Sequence, residues 1–187
     1  MITNRQLFLQ HVAQTSTAPL MIEIERASGI YMYGPEGQRY MDLISGISVS
    51  NVGHSHPQVV KAVKQQAEKY MHLMVYGEFV EAPQTAFAQA LTKILPDSLN
   101  SVYFTNSGTE ATEGGMKLAK RVTGRTQFIH FRNSYHGSTQ GALSVMGDEY
   151  FKRAFRPLLP DILELEYGNI DDLSQICLLY TSPSPRD

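Results

Sequence analysis

The sequence predicts an α/β fold in which a small N-terminal β-meander precedes a parallel sheet covered by helices. Three observations favour it. Alternating apolar and charged residues surround a Pro/Gly turn near the start, and two long amphipathic helical patterns follow. Beyond residue 100, short apolar runs alternate with helical patterns, which is the order of a parallel sheet with crossover helices. A length of 187 residues with 42% hydrophobic composition is enough for a sizeable core.

Local patterning predicts the N-terminal elements. Residues 4–13 weakly indicate a short helix, and residues 22–26 alternate between apolar and charged side chains. The runs 29–33 and 39–43 flank the sequence GPEG at 34–37, which is typical of a hairpin turn. The first 45 residues therefore predict a meander.

Two helices are predicted next. The first covers residues 56–74, has Pro57 at the favoured first helical position, and carries an apolar stripe spaced by three and four residues. The second begins at Pro83 and ends before Pro96.

The second half of the chain changes its period. Residues 102–105 and 128–131 are predicted as short buried strands, and residues 109–123 and 139–146 as helices. The helix at 109–123 has an apolar stripe of Ala111, Gly115, Leu118 and Val122, the acidic residues Glu110 and Glu113 in the half that the dipole favours, and Gly124 as its stop. Its glycines at 114 and 115 indicate close packing on a neighbour. Residues 169–176 begin like a capped helix, with Asn169 as the N-cap and acidic residues in the first turn.

The C-terminal segment 177–187 differs in character from the rest. It contains Pro183 and Pro185, which exclude a helix, and no pattern for a new core element. We interpret it as a non-native cloning or frame-shift segment, with an ordinary disordered tail as the alternative. The single cysteine, Cys177, excludes an internal disulfide or a thiolate metal cluster within one chain.

Charge and hydropathy exclude several classes of protein. The formal net charge of −2 does not fit a nucleic-acid-binding surface. No apolar run approaches the roughly 18 to 20 residues of a membrane span, and residues 1–10 lack the pattern of a secretory signal. We therefore expect a cytoplasmic protein without a membrane or nucleic-acid partner.

The loop at 106–110 is a candidate anion site. A turn containing Ser107, Gly108 and Thr109 lies between a predicted strand and a helix, where free backbone N–H groups and the helix dipole favour a phosphate. Glycine at 108 allows close backbone approach. The alternative is an ordinary N-cap, which Ser and Thr commonly provide. The Walker and dinucleotide fingerprints are absent, which disfavours those ligands.

A second loop follows the strand predicted at 128–131. Its Tyr135, His136 and Gly137 lie in another strand-to-helix turn, on the expected ligand-binding edge of the sheet. An aromatic ring followed by glycine suits a flat heterocycle. Alone, Tyr135 is more often an ordinary core or surface aromatic, and His136 an ordinary loop histidine.

These residues resemble the class III pyridoxal-phosphate-dependent aminotransferases, most of all the acetylornithine and ornithine branch. The motifs, in order, are GPEGQRYMD at 34–42, NVGHSHP at 51–57, NSGTEA at 106–111 with Glu113 and KLA at 117–119, and YHG at 135–137. The resemblance covers residues 20–176 and implies fold type I of the pyridoxal-phosphate (PLP) enzymes. It also implies an incomplete chain, with residues 1–52 from the small domain and 53–176 from the first part of the large domain.

The resemblance also implies roles. Ser107, Gly108 and Thr109 would hold the phosphate of pyridoxal 5′-phosphate, and Tyr135 would stack on its ring. The family works as a homodimer that exchanges an amino group between an amino donor and a 2-oxo acid. Its Schiff-base lysine and pyridinium-binding aspartate belong to sequence beyond this chain, so we predict no catalytic residue here and no turnover by this fragment.

One departure concerns the substrate. Where the acetylornithine and ornithine branch has an arginine after His-Gly, this chain has Ser138, which cannot replace a bidentate charged fork. Ser138 is therefore the candidate substrate residue, and the substrate would be an amino acid held elsewhere, an ω-amine or an ω-amino acid.

Other functions compete with this interpretation. A PLP-dependent aminomutase or decarboxylase shares these motifs, and a non-catalytic fragment with exposed core surface is a further alternative. A metal site at His54 and His56 with His130 or His136 lacks carboxylate or thiolate ligands, so we predict none. A serine hydrolase is disfavoured because Ser107 is not in a Gly-x-Ser-x-Gly elbow.

Overall fold

The computed structural model describes residues 2–74, 77–172, 174 and 176. The chain forms two compact units, and the boundary between them falls between Glu81 and Ala82. The predicted division between residues 52 and 53 refers to the domains of a whole family member and stays a prediction. The segment 177–187 lies outside the described residues.

The first unit contains the predicted meander. Helix α1 (Asn4–His11) begins with a capping box between Thr3 and Gln6. Strands β1 (Arg26–Ser28), β2 (Tyr31–Tyr33) and β3 (Arg39–Met41) form an antiparallel sheet in the order β1-β2-β3. The first strand therefore starts where the alternating run 22–26 ends, because it is the segment after that run that pairs with β2.

Two helical segments complete this unit. The short segment α2 (Ser45–Ser48) has left-handed backbone angles within it, and helix α3 (Pro57–Lys69) has its proline in the first turn as predicted. Helix α3 ends at Lys69 rather than at residue 74, because Tyr70 adopts an extended conformation with φ of −169°.

The second unit holds the elements around the two candidate loops. Its helices are α4 (Ala82–Thr92), α5 (Gly108–Thr123), α6 (Gln140–Ser144) and α7 (Glu149–Lys152), with 3₁₀ turns at Arg153–Phe155 and Ile170–Asp172. Strands β4 (Phe128–Phe131) and β5 (Ile162–Leu165) pair in parallel, which confirms the predicted parallel connection. Sequence reasoning missed β5.

The segment 102–105 is not a strand, contrary to the prediction. A strand needs a hydrogen-bonded neighbour, and none of the described segments pairs with these residues. The aromatic ring of Phe104 packs instead on Phe87 of α4, with centroids 5.8 Å apart.

Helix α5 has the predicted length, and Gly124 ends it in the left-handed conformation, with φ of 68°. Its predicted apolar stripe is not covered, since Leu118 is 62% and Val122 74% exposed. The predicted close packing is wrong at Gly115, where a Cβ would meet no described atom within 4 Å, and at Gly114 a Cβ would come only within 3.9 Å of the Tyr103 ring.

The core of the second unit lies around α6. Its buried apolar side chains are Met116, Ala142, Leu143, Val145, Met146 and Leu165. Helix α6 is therefore fixed by burial against its neighbours, and it carries the end of the second candidate loop into a defined position.

Candidate cofactor site

The first turn of α5 forms one side of the site. The N-cap Ser107 is extended, with φ of −155°, and its Oγ accepts a hydrogen bond from the N–H of Glu110 at 3.3 Å. The Glu110 carboxylate accepts one from the N–H of Asn106 at 2.7 Å. Within the described residues, no hydrogen bond uses the N–H groups of Gly108 and Thr109. These two donors and the Ser107 hydroxyl are available to an anion at the positive end of the helix.

The second side is the loop after β4. Its turn is closed by hydrogen bonds from the N–H of Ser134 to the Phe131 carbonyl at 3.1 Å and from the N–H of Gly147 to the Ser134 carbonyl at 2.8 Å. The next residue, Tyr135, leaves this turn with its side chain 69% exposed. Its hydroxyl lies 3.4 Å from the Ser138 Oγ. The tyrosine ring is therefore free to cover a ligand.

The two loops line one open cavity of about 580 Å³. All the residues predicted to contact cofactor or substrate border it, and the full lining is Ser107, Gly108, Thr109, Thr112, Tyr135, His136, Gly137 and Ser138. A cavity of this size is within the range of small-molecule sites.

Hydroxyl groups of α5 join the two loops. The Thr112 Oγ1 lies 3.0 Å from the His136 carbonyl oxygen and 3.1 Å from the Gly108 carbonyl oxygen, so its proton is shared between them. The Thr109 Oγ1 lies 2.7 Å from the Thr139 Oγ1. The distance between the two loops is therefore set by direct contacts.

Gly137 is required at this junction. Its backbone has φ of 125°, which side chains rarely adopt, and a Cβ at this position would lie 2.9 Å from the Thr109 Cα. Any larger residue would push the second loop away from α5.

The Glu113 carboxylate of α5 binds the end of the second loop and the start of α6. Its Oε1 accepts hydrogen bonds from the Thr139 hydroxyl at 2.6 Å, the Gly141 N–H at 2.8 Å and the Ala142 N–H at 3.2 Å. The Thr139 hydrogen bond is the largest cause of a lowered pKa of Glu113, and the two N–H groups of α6 add to it. Glu113 is thus ionised at neutral pH and caps α6 from another helix.

The histidines named for the alternative metal site have other surroundings. His54 Nε2 lies 2.7 Å from the Asp42 carboxylate in the first unit. His130 is 3% exposed, and burial lowers the pKa of its imidazole, so it is neutral. In the described ranges 2–74 and 77–172, no three His, Cys, Asp or Glu side chains are grouped to hold a metal ion.

The sequence of this chain is similar to those of a known protein family. The family model "Aminotransferase class-III" matches residues 12–178. This chain belongs to the class III aminotransferases. Among its curated relatives, the acetylornithine aminotransferase of Archaeoglobus fulgidus is 36% identical over 167 residues, which are 89% of this chain and 43% of the relative.

Solved structures of other aminotransferases share the fold. The adenosylmethionine-8-amino-7-oxononanoate aminotransferase of Methanocaldococcus jannaschii is 30% identical and aligns with a TM-score of 0.83 over 94% of this chain and 43% of that chain. The taurine:2-oxoglutarate aminotransferase of Bifidobacterium kashiwanohense, in complex with PLP and glutamate, is 29% identical with a TM-score of 0.74 over 93% and 41%.

These matches confirm the predicted family and the predicted fold, an incomplete PLP-dependent transferase of fold type I. The chain spans less than half the length of the relatives it matches. In the described residues, no helix combines the length and apolar composition that crossing a bilayer requires.

Some residues that shape this cavity were missed by sequence reasoning. Thr112 and Thr139 join the loops, and Gly141 accommodates the Glu113 carboxylate, yet none of the three was singled out. Glu113 was recognised only as a family residue and as a helix-dipole charge. The partners of these residues on the other side of the junction are 24 to 30 positions away, and no local pattern reports such contacts.

Proposed function

We propose that this chain is the cofactor-binding part of a PLP-dependent aminotransferase, which exchanges an amino group between an amino acid or ω-amine and a 2-oxo acid. The observation that carries the proposal is the convergence of the anion-binding turn at 106–110 and the Tyr135 loop on one cavity. Neither loop alone distinguishes a cofactor site from an ordinary helix cap.

The residues present fit the phosphate and the ring of pyridoxal 5′-phosphate. Ser107 would donate its hydroxyl proton to the phosphate, and Gly108 and Thr109 would donate their backbone N–H groups. Tyr135 would lie over the pyridine ring, because its side chain is exposed at the opposite wall of the cavity. When bound, the cofactor supplies an electron sink for the amino acid carbanion.

The substrate and the assembly are part of the same proposal. Ser138 borders the cavity and lies within reach of the Tyr135 hydroxyl, so we assign it to the substrate side. A neutral hydroxyl there favours an ω-amine, an ω-amino acid or an amino acid whose carboxylate is bound elsewhere. We further propose a cytoplasmic homodimer for the whole protein, and cofactor binding without turnover for the 187-residue chain.

A binding experiment tests the cofactor site. Pyridoxamine 5′-phosphate is the suitable probe, because it has no aldehyde that would react with surface lysines. We expect the chain to bind it at least about tenfold more tightly than pyridoxamine, since charge-assisted hydrogen bonds to phosphate are each worth about 1.5 to 3 kcal/mol. Isothermal titration calorimetry of the two ligands measures the difference.

The Ser107→Ala variant should lose most of that preference while its affinity for pyridoxamine stays the same. Ser101→Ala is the matched control, because Ser101 is exposed and, among the described residues, its hydroxyl hydrogen-bonds only to Asn100. Equal binding of the two ligands by the unmodified chain would contradict the proposal.

A further inference from the structure

A chain of hydrogen bonds runs from Glu113 to the wall of the cavity. The Thr139 Oγ1 lies 2.6 Å from the Glu113 Oε1 and 2.7 Å from the Thr109 Oγ1, and the Thr139 N–H donates to the Thr109 Oγ1 at 3.3 Å. Thr109 borders the proposed phosphate site, whereas Glu113 does not. The carboxylate therefore contacts the site only through two hydroxyl groups.

The direction of these hydrogen bonds follows from the chemistry of the groups. An ionised carboxylate only accepts, so Thr139 donates its single hydroxyl proton to Glu113. The short contact between the two threonines then requires Thr109 to donate to Thr139. The Thr109 hydroxyl proton is therefore donated to Thr139 and not towards the cavity. Thr109 can donate its backbone N–H to a phosphate.

Two glycines make room for this chain of contacts. A Cβ at Gly137 would lie 2.5 Å from the Thr109 Cβ, and a Cβ at Gly141 would lie 2.8 Å from the Glu113 Cδ. The second loop thus approaches α5 closely at both ends of the hydrogen-bonded chain. The adjacent cavity residues 135, 136 and 138 are exposed, so the threonine and carboxylate contacts, together with the burial of α6, hold this loop in place.

We infer that Glu113 and Thr139 are positioning residues, which hold the Tyr135 loop at the distance from the phosphate-binding turn that a phosphorylated aromatic ring requires. This inference rests on the proposed function of the cavity. A ligand that uses both walls depends on the Glu113–Thr139–Thr109 chain, whereas inorganic phosphate, which uses only the turn at 106–110, does not.

The test compares two substitutions at Thr139 that separate hydrogen bonding from packing. Thr139→Val keeps the shape and loses the hydroxyl, whereas Thr139→Ser keeps the hydroxyl and loses a methyl group. We expect Thr139→Val to lower the affinity for pyridoxamine 5′-phosphate about tenfold. Thr139→Ser should change this affinity less than about threefold. Affinity for inorganic phosphate, followed by the amide NMR shifts of Gly108 and Thr109, should not fall in either variant.

Controls separate this inference from the proposed function. Thr123→Val is the matched substitution at the far end of α5. In the part of the chain that the structure describes, the Thr123 hydroxyl hydrogen-bonds only to the Ala119 carbonyl and the Arg125 N–H, so this variant should bind both ligands normally. Glu113→Gln, which keeps an acceptor oxygen, should bind pyridoxamine 5′-phosphate more tightly than Glu113→Ala. Circular dichroism confirms that each variant is folded.

Three results would overturn the inference. Normal binding by Thr139→Val, equal losses in the valine and serine variants, or an equal loss of phosphate affinity would each contradict a positioning role while the proposed function stands. If the unmodified chain does not distinguish pyridoxamine 5′-phosphate from pyridoxamine, the proposed function fails, and this inference fails with it.

Discussion

One carboxylate in each unit of the chain organises the backbone around it. In the first unit, the Asp42 Oδ1 accepts hydrogen bonds from the N–H of Ile44 at 3.0 Å and the N–H of Ser45 at 2.8 Å, and its Oδ2 lies 2.7 Å from the His54 Nε2. In the second unit, Glu113 accepts two backbone N–H groups and one hydroxyl. We call these two carboxylates, Asp42 and Glu113, the anchors, and their hydrogen-bonding chemistry is nearly the same.

The two carboxylates differ in the distance along the chain that they join. The partners of Asp42 lie 2, 3 and 12 positions away, whereas those of Glu113 lie 26 to 29 positions away. Asp42 therefore stabilises its own loop, which contains the left-handed residues Gly46 and Ile47 with φ of 60° and 63°. Glu113 instead joins α5 to α6 and the loop before it, which are far from α5 in the sequence.

The pKa values of both anchors are lowered, so the ionised form of each carboxylate is favoured in the folded chain. The hydrogen bond from the Ser45 N–H is the largest cause of the lowered pKa of Asp42, with His54 next, and the Thr139 hydroxyl is the largest cause for Glu113. The same device thus fixes a local conformation in one unit and the geometry of a ligand cavity in the other.

The largest expected effect comes from breaking the long-range junction at Gly137. Gly137→Ala places a Cβ against the Thr109 backbone and forces a side chain into φ of 125°. Because neither the helix nor the loop can move without losing the threonine contacts, we expect a loss of about 3 kcal/mol in the free energy of unfolding. Urea denaturation followed by circular dichroism measures it.

Gly115→Ala is the matched control for this substitution. Gly115 lies inside α5, where an added Cβ meets no atom within 4 Å. Alanine favours a helix over glycine, so this variant should gain up to about 1 kcal/mol. A loss of similar size in both variants would show that the close approach of Gly137 to Thr109 is unimportant.

Truncating each carboxylate sharpens the comparison between the anchors. Glu113→Ala should cost about 2 kcal/mol, since it removes charge-assisted hydrogen bonds, and should speed hydrogen exchange at the N–H groups of Gly141 and Ala142. Asp42→Ala should speed exchange only within its own loop, at Ile44 and Ser45. Amide exchange followed by NMR reads both sites in one sample.

A crossed pattern would refute the distinction between the two anchors. If Asp42→Ala also accelerated exchange at Gly141, or Glu113→Ala also accelerated exchange at Ile44, the carboxylates would not act locally on separate backbone segments.

Elements with local signals were predictable from the sequence. The hairpin around GPEG, the proline-started helix α3, and α5 with its stop at Gly124 are specified by residues within one or two turns of each other. The candidate phosphate residues were found for the same reason, because Ser107, Gly108 and Thr109 are consecutive.

Features that depend on distant partners were not predictable in this way. Residues 102–105 have the apolar composition of a strand but no described neighbour to pair with, and the stripe with Leu118 and Val122 has the right period but no cover. The roles of Thr139 and Gly141 exist only because Glu113 reaches them from another helix. Periodicity describes one element at a time, whereas these contacts join two.

The smallest expected effect is a pH dependence of stability caused by His130, which adds to the pH dependence caused by the two anchors. The pKa of His130 is lowered by burial and by the nearby positive charge of Lys152, while Glu164, whose carboxylate lies 3.9 Å from the ring, partly opposes this. The unfolded chain therefore binds a proton at His130 at a pH where the folded chain does not. Stability should fall as the pH decreases below about 6.5, the ordinary pKa of histidine.

The carboxylate anchors lose their contribution in a separate range. Because folding lowers their pKa values, the stabilisation by the two carboxylates is complete above about pH 5 and is lost progressively below it. His130→Leu should therefore remove the change in the unfolding midpoint between about pH 7 and pH 5 while leaving the decline below about pH 5. Thermal unfolding across this pH range measures both limbs. If the decline between about pH 7 and pH 5 persists in His130→Leu, a group other than His130 titrates in that range. The decline at acid pH could then not be assigned to Asp42 and Glu113 alone.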